Sequence, residues 1–482
     1  MLYYYLMLYN RFMNNKKSIS AIDKVSYALL VVALGIFVVA QGLIHNPDQD
    51  CYFLIDNGRY IVQNRALPET AYWLINEGVP TVIQQWMCDV VNYFAYAMGG
   101  YTGIVILGII FNLTLLGALF LYNRDLLKSN QTGLNAAIFV WILLGQYAST
   151  RPYSITISLN LIELIVLKHF FDKEKHTAKE TAKFLAIVAA IFVFQANWQA
   201  SNIPYPMFWI LCYIPVFKKK KFRIDLYALA ALVTGGVFSI LSPIGIRGPL
   251  FLTYAVGSFD GFDIYEILPP EFPSLYTVLQ IILIALVAYA IFKKKLTSPQ
   301  FFLAAGCFFM SCIFMRCCWT LVLPIGALLP NLEFTERSHK MMRWAYVAAG
   351  ALSVFLIVRY NLEKTDDRQV MLSVVPAPDK VTLFTDFNSG SYFLIDGYKI
   401  YYDARPELYD HVIAGDKAFR DEAYASWSGE IDYDEFIAKY GFNWFAVTKD
   451  SPIESYLIEN PDYEFVFDNA TDGIAIYKSV YY

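Results

Sequence analysis

The chain has 482 residues, of which 57% are hydrophobic, 17% are aromatic and only 17% are charged, with a formal net charge of −4. This composition lies outside the range of ordinary soluble domains, and the charge balance gives no reason to expect a nucleic-acid partner. We predict an α-helical polytopic protein of the cell membrane.

About eleven apolar runs are long enough to cross about 30 Å of hydrocarbon. The predicted spans are residues 25–44, 101–122, 133–149, 153–171, 183–198, 203–217, 226–245, 274–292, 299–316, 317–332 and 344–360. Six loops rich in Lys and Arg alternate with loops poor in Lys, which predicts a cytoplasmic N-terminus over residues 1–24. No cleavable signal peptide is evident, so the first span is expected to be retained in the transmembrane module, residues 25–360.

The first outer loop, residues 45–100, is too long to be a simple connector and is expected to fold. At its end, Trp86, Val90, Tyr93, Phe94 and Ala97 recur at helical spacing, which predicts an amphipathic helix in the membrane interface. Two glycines, Gly99 and Gly100, are expected to end this helix before the next span begins. Cys51 and Cys88 share the same loop, and whether they pair remains open.

The tail, residues 361–482, has no long apolar run and is predicted to be a small extracytoplasmic α/β domain. Strands are expected at residues 381–387, 399–404 and 444–450, helices at 435–441 and 453–460, and a closing hairpin at 463–479.

Asp48 and Asp50 follow the first span directly. These two aspartates are explained equally well as solvated residues at the start of a loop and as functional residues. Two carboxylates at this spacing could also ligate a divalent cation such as Mg²⁺ or Mn²⁺, or act as a base beside a metal ligand. Asp56, further along, is expected to be an ordinary helix-face residue.

Other polar and aromatic residues map to the predicted outer ends of later spans: Arg151, Trp198, Arg247, Asp260, Asp263, Glu266 and Arg316. Taken singly, each is better explained by interface anchoring or salt bridging. Together they predict a polar outward-open cavity. Arginine suits a phosphate there because its planar guanidinium matches phosphate oxygens in a fork, so Arg151, Arg247 and Arg316 are candidate phosphate ligands.

Several short motifs occur in a characteristic order along the chain. They are Asp48-x-Asp50, Gly58-Arg59, Pro68, the helix that starts at Trp86 and ends at Gly100, RPYS (151–154), ANWQ (196–199), LSPIGIR (241–247), EILPPEF (266–272) and the D-x-R element Asp403 to Arg405. In this order the chain resembles bacterial membrane glycosyltransferases of the GT-C superfamily, which are related in architecture to protein mannosyltransferases.

The resemblance implies a GT-C-like enzyme that transfers a sugar from a polyprenyl-phosphate donor to an extracytoplasmic glycan, lipid or protein. Asp48 or Asp50 would be its general base. Glu266, Trp198, Asp403 and Arg405 would contact the acceptor or assist as polar partners, and the tail would bind the acceptor or cover the cavity.

The chain departs from the family pattern at Leu54, Gln84 and Gln85, where many relatives carry histidine or glutamate. These departures keep two alternatives open. One is a transporter or flippase of lipid-linked sugars, and the other is a non-catalytic membrane protein of polysaccharide assembly.

Overall fold

The computed structural model describes residues 49–128, 130–144, 150–218, 221–255, 258, 268–331, 368–469 and 473–481. The α-helices in these ranges are α1 (Asp50–Asn64), α2 (Trp86–Leu127), α3 (Asn130–Leu143), α4 (Tyr153–Phe171), α5 (Ala178–Trp198), α6 (Pro204–Leu211), α7 (Leu226–Phe238), α8 (Arg247–Ala255), α9 (Leu275–Phe292), α10 (Ser298–Ile313), α11 (Val322–Leu328), α12 (Arg368–Val374), α13 (His411–Ala414), α14 (Arg420–Ser428), α15 (Tyr433–Tyr440) and α16 (Pro452–Glu459). The strands are β1 (Pro215–Lys218), β2 (Lys221–Ile224), β3 (Leu383–Thr385), β4 (Trp444–Thr448), β5 (Tyr463–Asn469) and β6 (Ile474–Ser479).

Four of the described helices, α2, α4, α5 and α9, are long and apolar enough to cross a membrane. Helix α4 coincides with the predicted span 153–171, and the span 101–122 lies inside α2. The predicted spans 25–44 and 344–360 lie outside the described residues. The expectation of a membrane protein is therefore supported, whereas the count of eleven spans stays a prediction.

Two predicted spans are wrong as continuous helices. Residues 203–217 form the short helix α6 and then enter the hairpin of β1 and β2, which pair antiparallel. Residues 317–332 form a 3-10 segment, the short helix α11 and another 3-10 turn. Proline explains both breaks, because Pro215, Pro324 and Pro330 lack the backbone N–H that a continuing helix needs.

Helix α2 contains the predicted break between the interface helix and the span. Gly99 (φ −150°, ψ 16°) and Gly100 (φ 56°, ψ −139°) are non-helical, and Gly100 adopts a conformation that glycine tolerates best. Before the break, the face that packs inside the protein carries Cys88, Asp89 and Asn92. Of the predicted apolar face, Phe94 and Ala97 are exposed, whereas Trp86, Val90 and Tyr93 are partly buried and pack against the core, so the location of this helix in the membrane interface stays a prediction.

The tail contains a four-stranded sheet in the order β3-β4-β6-β5, in which β3 and β4 are parallel and the other pairs are antiparallel. Helix α15 begins at its cap Asp432 and ends before Gly441, which has a φ of 67°. The predicted helices and the closing hairpin are thus confirmed at the level of elements. The extracytoplasmic location of the tail stays a prediction.

The predicted strand 399–404 is wrong. Ile400 pairs with Leu74 of the first loop instead of joining the sheet. Its backbone N–H donates to Trp73 O at 2.9 Å, and its carbonyl accepts from Ile75 N at 2.9 Å. The backbone of the tail is therefore hydrogen-bonded to the first loop, and the two segments share one hydrophobic core.

Helices α1 and α2 cross at Gly58, which is buried. A Cβ atom at this position would lie 2.1 Å from Asp89 O and 2.7 Å from Tyr93 Cβ. Real Cβ atoms do not tolerate such contacts, so the close approach of the two helices requires glycine.

We predict that Gly58→Ala lowers the stability of the protein by at least about 1–3 kcal/mol, because the added methyl forces the two helices apart. The midpoint of thermal unfolding in detergent measures this loss. Gly117→Ala in α2 is the matched control, since a Cβ there meets no described atom within 4 Å. Equal effects of the two substitutions would contradict the packing argument.

Candidate functional site

Asp50 is the first residue of α1, and its carboxylate pairs with Arg151. Arg151 Nη2 lies 3.1 Å from Asp50 Oδ2, and both side chains keep a small exposed area. The preceding residue, Thr150, is buried and its hydroxyl donates to Cys51 Sγ at 3.3 Å. The segment that precedes α4 is thus held against the first turn of α1, and one candidate base and one candidate phosphate ligand lie together.

Arg316 contacts the start of α4. Its guanidinium carbon lies 5.0 Å from the ring centre of Tyr153, two residues after Arg151. Trp198 is buried, and its indole N–H donates to the carbonyl of Pro152 at 3.0 Å. The structure therefore places four residues named from the sequence, Asp50, Arg151, Trp198 and Arg316, around the short segment 151–153.

The tail enters this region through the D-x-R element. Asp403 and Arg405 are almost completely buried and form an ion pair, with Arg405 Nε 3.1 Å from Asp403 Oδ1. The guanidinium carbon lies 4.4 Å from the ring centre of Phe53 and 4.2 Å from that of Trp73, so it packs between rings of the first loop. This pair fastens the tail to α1 rather than facing open solvent.

Tyr409 completes the network around this pair. Its hydroxyl donates to Asp403 Oδ1 at 2.7 Å and accepts from the indole N–H of Trp73 at 3.3 Å. These hydrogen bonds support the buried carboxylate of Asp403. Arg405 Nη1 is buried without a hydrogen-bond partner among the described residues, so the guanidinium relies on Asp403 and on the two rings that flank it. We therefore assign Asp403 and Arg405 first to holding the tail, and their acceptor contacts stay a prediction.

Glu407 is a candidate that the sequence reasoning missed. It lies in the 3-10 turn Pro406–Leu408, directly after the D-x-R element. Burial raises the pKa of this carboxyl to about 7, although Arg405 and Arg316 act to lower it. Glu407 is thus an electrostatic neighbour of a predicted phosphate ligand, and nothing in the local sequence distinguished it.

Asp56 is more than the helix-face residue expected from the sequence. It is buried, pairs with Arg59 and accepts a hydrogen bond from the Tyr72 hydroxyl at 2.8 Å. Burial raises its pKa, and the Arg59 charge opposes that shift. Because Arg59 also donates to Ile395 O at 2.8 Å, this group forms a second link between α1 and the tail.

The departures at Gln84 and Gln85 fall where the first loop meets the end of α5. Gln84 accepts from Ala200 N through its backbone at 2.9 Å and from Ser201 N through its side chain at 3.1 Å. The indole N–H of Trp86 donates to Asn197 Oδ1 at 3.0 Å. In this chain, Gln84 and Trp86 therefore hold the first loop against the end of α5, beside Trp198.

The remaining candidates stay predictions. Arg247 begins α8 and is exposed, and it makes no ion pair with another residue in the described ranges. Asp48 and Glu266 lie outside the described residues. Within the ranges that the structure describes, no group of three or more His, Cys, Asp or Glu side chains could hold a metal ion. A divalent cation held by Asp48 and Asp50 stays a prediction.

We predict that Arg405→Met lowers the free energy of unfolding by about 3–5 kcal/mol, because it leaves Asp403 as an uncompensated buried charge. Lys399→Met is the matched control, since Lys399 also links the tail to the first loop, through Glu77 at 3.0 Å, but at an exposed position. We expect this control to change stability by no more than about 1 kcal/mol. Urea unfolding followed by Trp fluorescence measures both, and equal losses would contradict the assigned role of the buried pair.

The raised pKa of Glu407 predicts that the stability of the protein depends on pH. Between its ordinary pKa of 4.5 and its raised pKa of about 7, the folded protein keeps a proton that the unfolded chain releases, so stability falls as pH rises through this window. Glu407→Gln removes this dependence. We expect the stability of the variant, measured relative to the parent, to rise by about 1–2 kcal/mol between pH 5 and pH 7.5, a range that is reduced because Glu407 is partly exposed. Unfolding midpoints measured across this pH range test the prediction. The exposed Glu430→Gln variant serves as control, and a parent-like pH profile in Glu407→Gln would contradict the assignment.

The whole chain matches solved structures of ArnT from Cupriavidus metallidurans. The apo structure aligns with a TM-score of 0.58 at 11% identity, covering 95% of this chain and 98% of ArnT. The structure bound to undecaprenyl phosphate aligns with a TM-score of 0.51 at 11% identity, covering 94% and 97%. No protein-family model and no curated protein matches the chain. The chain therefore shares the fold of ArnT over almost its whole length.

Proposed function

We propose that the protein is a membrane glycosyltransferase of the GT-C type that transfers a sugar from a polyprenyl-phosphate donor to an extracytoplasmic glycan, lipid or protein. The observation that carries the proposal is the ion pair between Asp50 and Arg151 just before the apolar helix α4, with the guanidinium of Arg316 over the ring of Tyr153, the first residue of that helix. The ArnT fold, with one neighbour bound to undecaprenyl phosphate, supports a lipid phosphate as the donor group.

Arg151 and Arg316 would hold the donor phosphate, because two guanidinium groups can share its oxygens and stabilise the charge that develops as it leaves. Asp50 is paired with Arg151 in the structure. A phosphate that binds Arg151 would compete with this carboxylate and release it. Asp50 could then accept the proton of the acceptor hydroxyl while the bond between the sugar and the phosphate breaks.

An apolar groove supports a donor with a long lipid chain. It has a volume of about 630 Å³ and is open on one side, and it is lined by Trp86, Met87, Ala186, Ala189, Ala190, Val193, Phe194, Asn197 and Phe238. Small alanine side chains of α5 leave the space, and Asn197 at its end adjoins Trp198. A polyprenyl chain in this groove would have its head group near the arginines.

A second cavity suits a polar acceptor. It has a volume of about 470 Å³ and lies between the first loop and the tail, with a mixed charged and aromatic lining that includes Glu77, His411, Arg420, Glu422 and Tyr440. Hydroxyl-rich ligands such as glycans are bound by side chains of these kinds. The tail would accordingly help to bind the acceptor.

We predict that Asp50→Asn lowers donor turnover at least about 100-fold, because an amide cannot accept the acceptor proton. The assay incubates the purified full chain with undecaprenyl-phosphate-linked pentoses and hexoses and an envelope extract, and measures release of undecaprenyl phosphate by mass spectrometry. Asp379→Asn is the control, since it makes the same change at an exposed aspartate of the tail.

Parent-like turnover in Asp50→Asn would eliminate Asp50 as the base. No turnover of any donor by the parent protein, with undecaprenyl phosphate still bound, would favour the flippase or the non-catalytic assembly protein. The unfolding midpoint of each variant separates loss of chemistry from loss of folding.

A further inference from the structure

Two cysteine side chains from different helices meet beside the turn that carries Asp50. Cys51 is the second residue of α1 and Cys88 the third of α2, and both are completely buried. Their separation along the chain gave no basis for deciding whether they pair. Packing of α1 on α2 brings them to one place.

The two sulfur atoms contact the same pair of neighbouring residues. Cys51 Sγ lies 4.0 Å from Asn92 Oδ1, and Asn92 Nδ2 lies 3.4 Å from Cys88 Sγ. The Thr150 hydroxyl lies 3.3 Å from Cys51 Sγ, and its carbonyl lies 3.9 Å from Cys88 Sγ. One amide group therefore lies against both sulfur atoms, so the two cysteines are close neighbours where α1 packs on α2.

We propose that Cys51 and Cys88 form a disulfide bond that joins α1 to α2. The proposal uses the predicted topology, which places the first loop in an extracytoplasmic compartment where disulfides persist. In the reaction two S–H bonds break and one S–S bond forms, and the two electrons and two protons that are released reduce a disulfide of a thiol–disulfide oxidoreductase to its dithiol.

Oxidation precedes the packing of α1 on α2, since both thiols are inaccessible afterwards. The finished bond is shielded from reductants for the same reason. It restrains the first turn of α1 beside Thr150, and Thr150 precedes the arginine that pairs with Asp50. A covalent link at this point therefore holds the candidate base in place relative to Arg151.

Counting of protected thiols in the full chain, taken from its own membrane, tests the proposal. Membranes are denatured in SDS with N-ethylmaleimide to block every thiol, then reduced and labelled with a maleimide-polyethylene glycol that shifts gel mobility once per cysteine. Of the seven cysteines, we expect two to become labelled after reduction and five to be blocked beforehand. Peptide mapping without reduction should recover a Cys51–Cys88 link.

Cys51→Ser and Cys88→Ser should each abolish labelling after reduction, because the remaining partner is blocked as a thiol. Cys312→Ser, which removes an exposed cysteine of α10, should leave two labelled positions. Complete blocking of all seven cysteines in the parent, or a link that joins other cysteines, would overturn the proposal. The count is made on denatured protein, so it does not depend on folding of the variants or on turnover of any donor.

Discussion

The buried ion pair between Asp403 and Arg405 fixes the arrangement on which the rest of the site depends. A buried charge is stable only when its partner and its hydrogen bonds are in place, and here the partners of Arg405 include the rings of Phe53 and Trp73 in the first loop. The tail therefore cannot move away from α1 without exposing or isolating a charge. Since α1 begins at Asp50, the same contact that holds the tail also holds the candidate base.

The opposite side of the site depends on the segment before α4. Thr150, Arg151 and Tyr153 contact the first turn of α1 and Arg316, and the carbonyl of Pro152 accepts from Trp198. Contacts from the first turn of α1, from Trp198 at the end of α5 and from Arg316 thus meet at the backbone of residues 150–153. An ion pair between a carboxylate and an arginine is a suitable resting state for an anion site, because an incoming phosphate can take the place of the carboxylate.

Much of the helical architecture could be predicted from the sequence, because a long apolar run such as residues 153–171 specifies a helix by its own composition. Helices of the tail were predictable from local stop signals such as Gly441. The predicted strand 399–404 failed because its partner, Leu74, lies in a distant loop that local patterns do not reveal. Pro324 and Pro330 were the local signal that residues 317–332 do not form one continuous helix.

The site could be predicted only as a set of residues on one side of a membrane. Loop charges indicated that Asp50, Arg151 and Arg316 share a side, but their convergence depends on how α1 packs on α2 and on the segment 150–153. Glu407 gave no separate signal, because its altered pKa arises from burial in the folded tail. Burial and long-range pairing are properties of the three-dimensional structure and leave little trace in short motifs.

A structure of the protein with undecaprenyl phosphate bound tests the central claim most directly. We expect the phosphate to contact both Arg151 and Arg316, with Asp50 no longer paired with Arg151. The polyprenyl chain should then leave along the apolar groove of α5. A phosphate bound elsewhere, for example beside Lys168 and Lys173 at the other end of α4, with the Asp50–Arg151 pair intact, would contradict the proposed donor site.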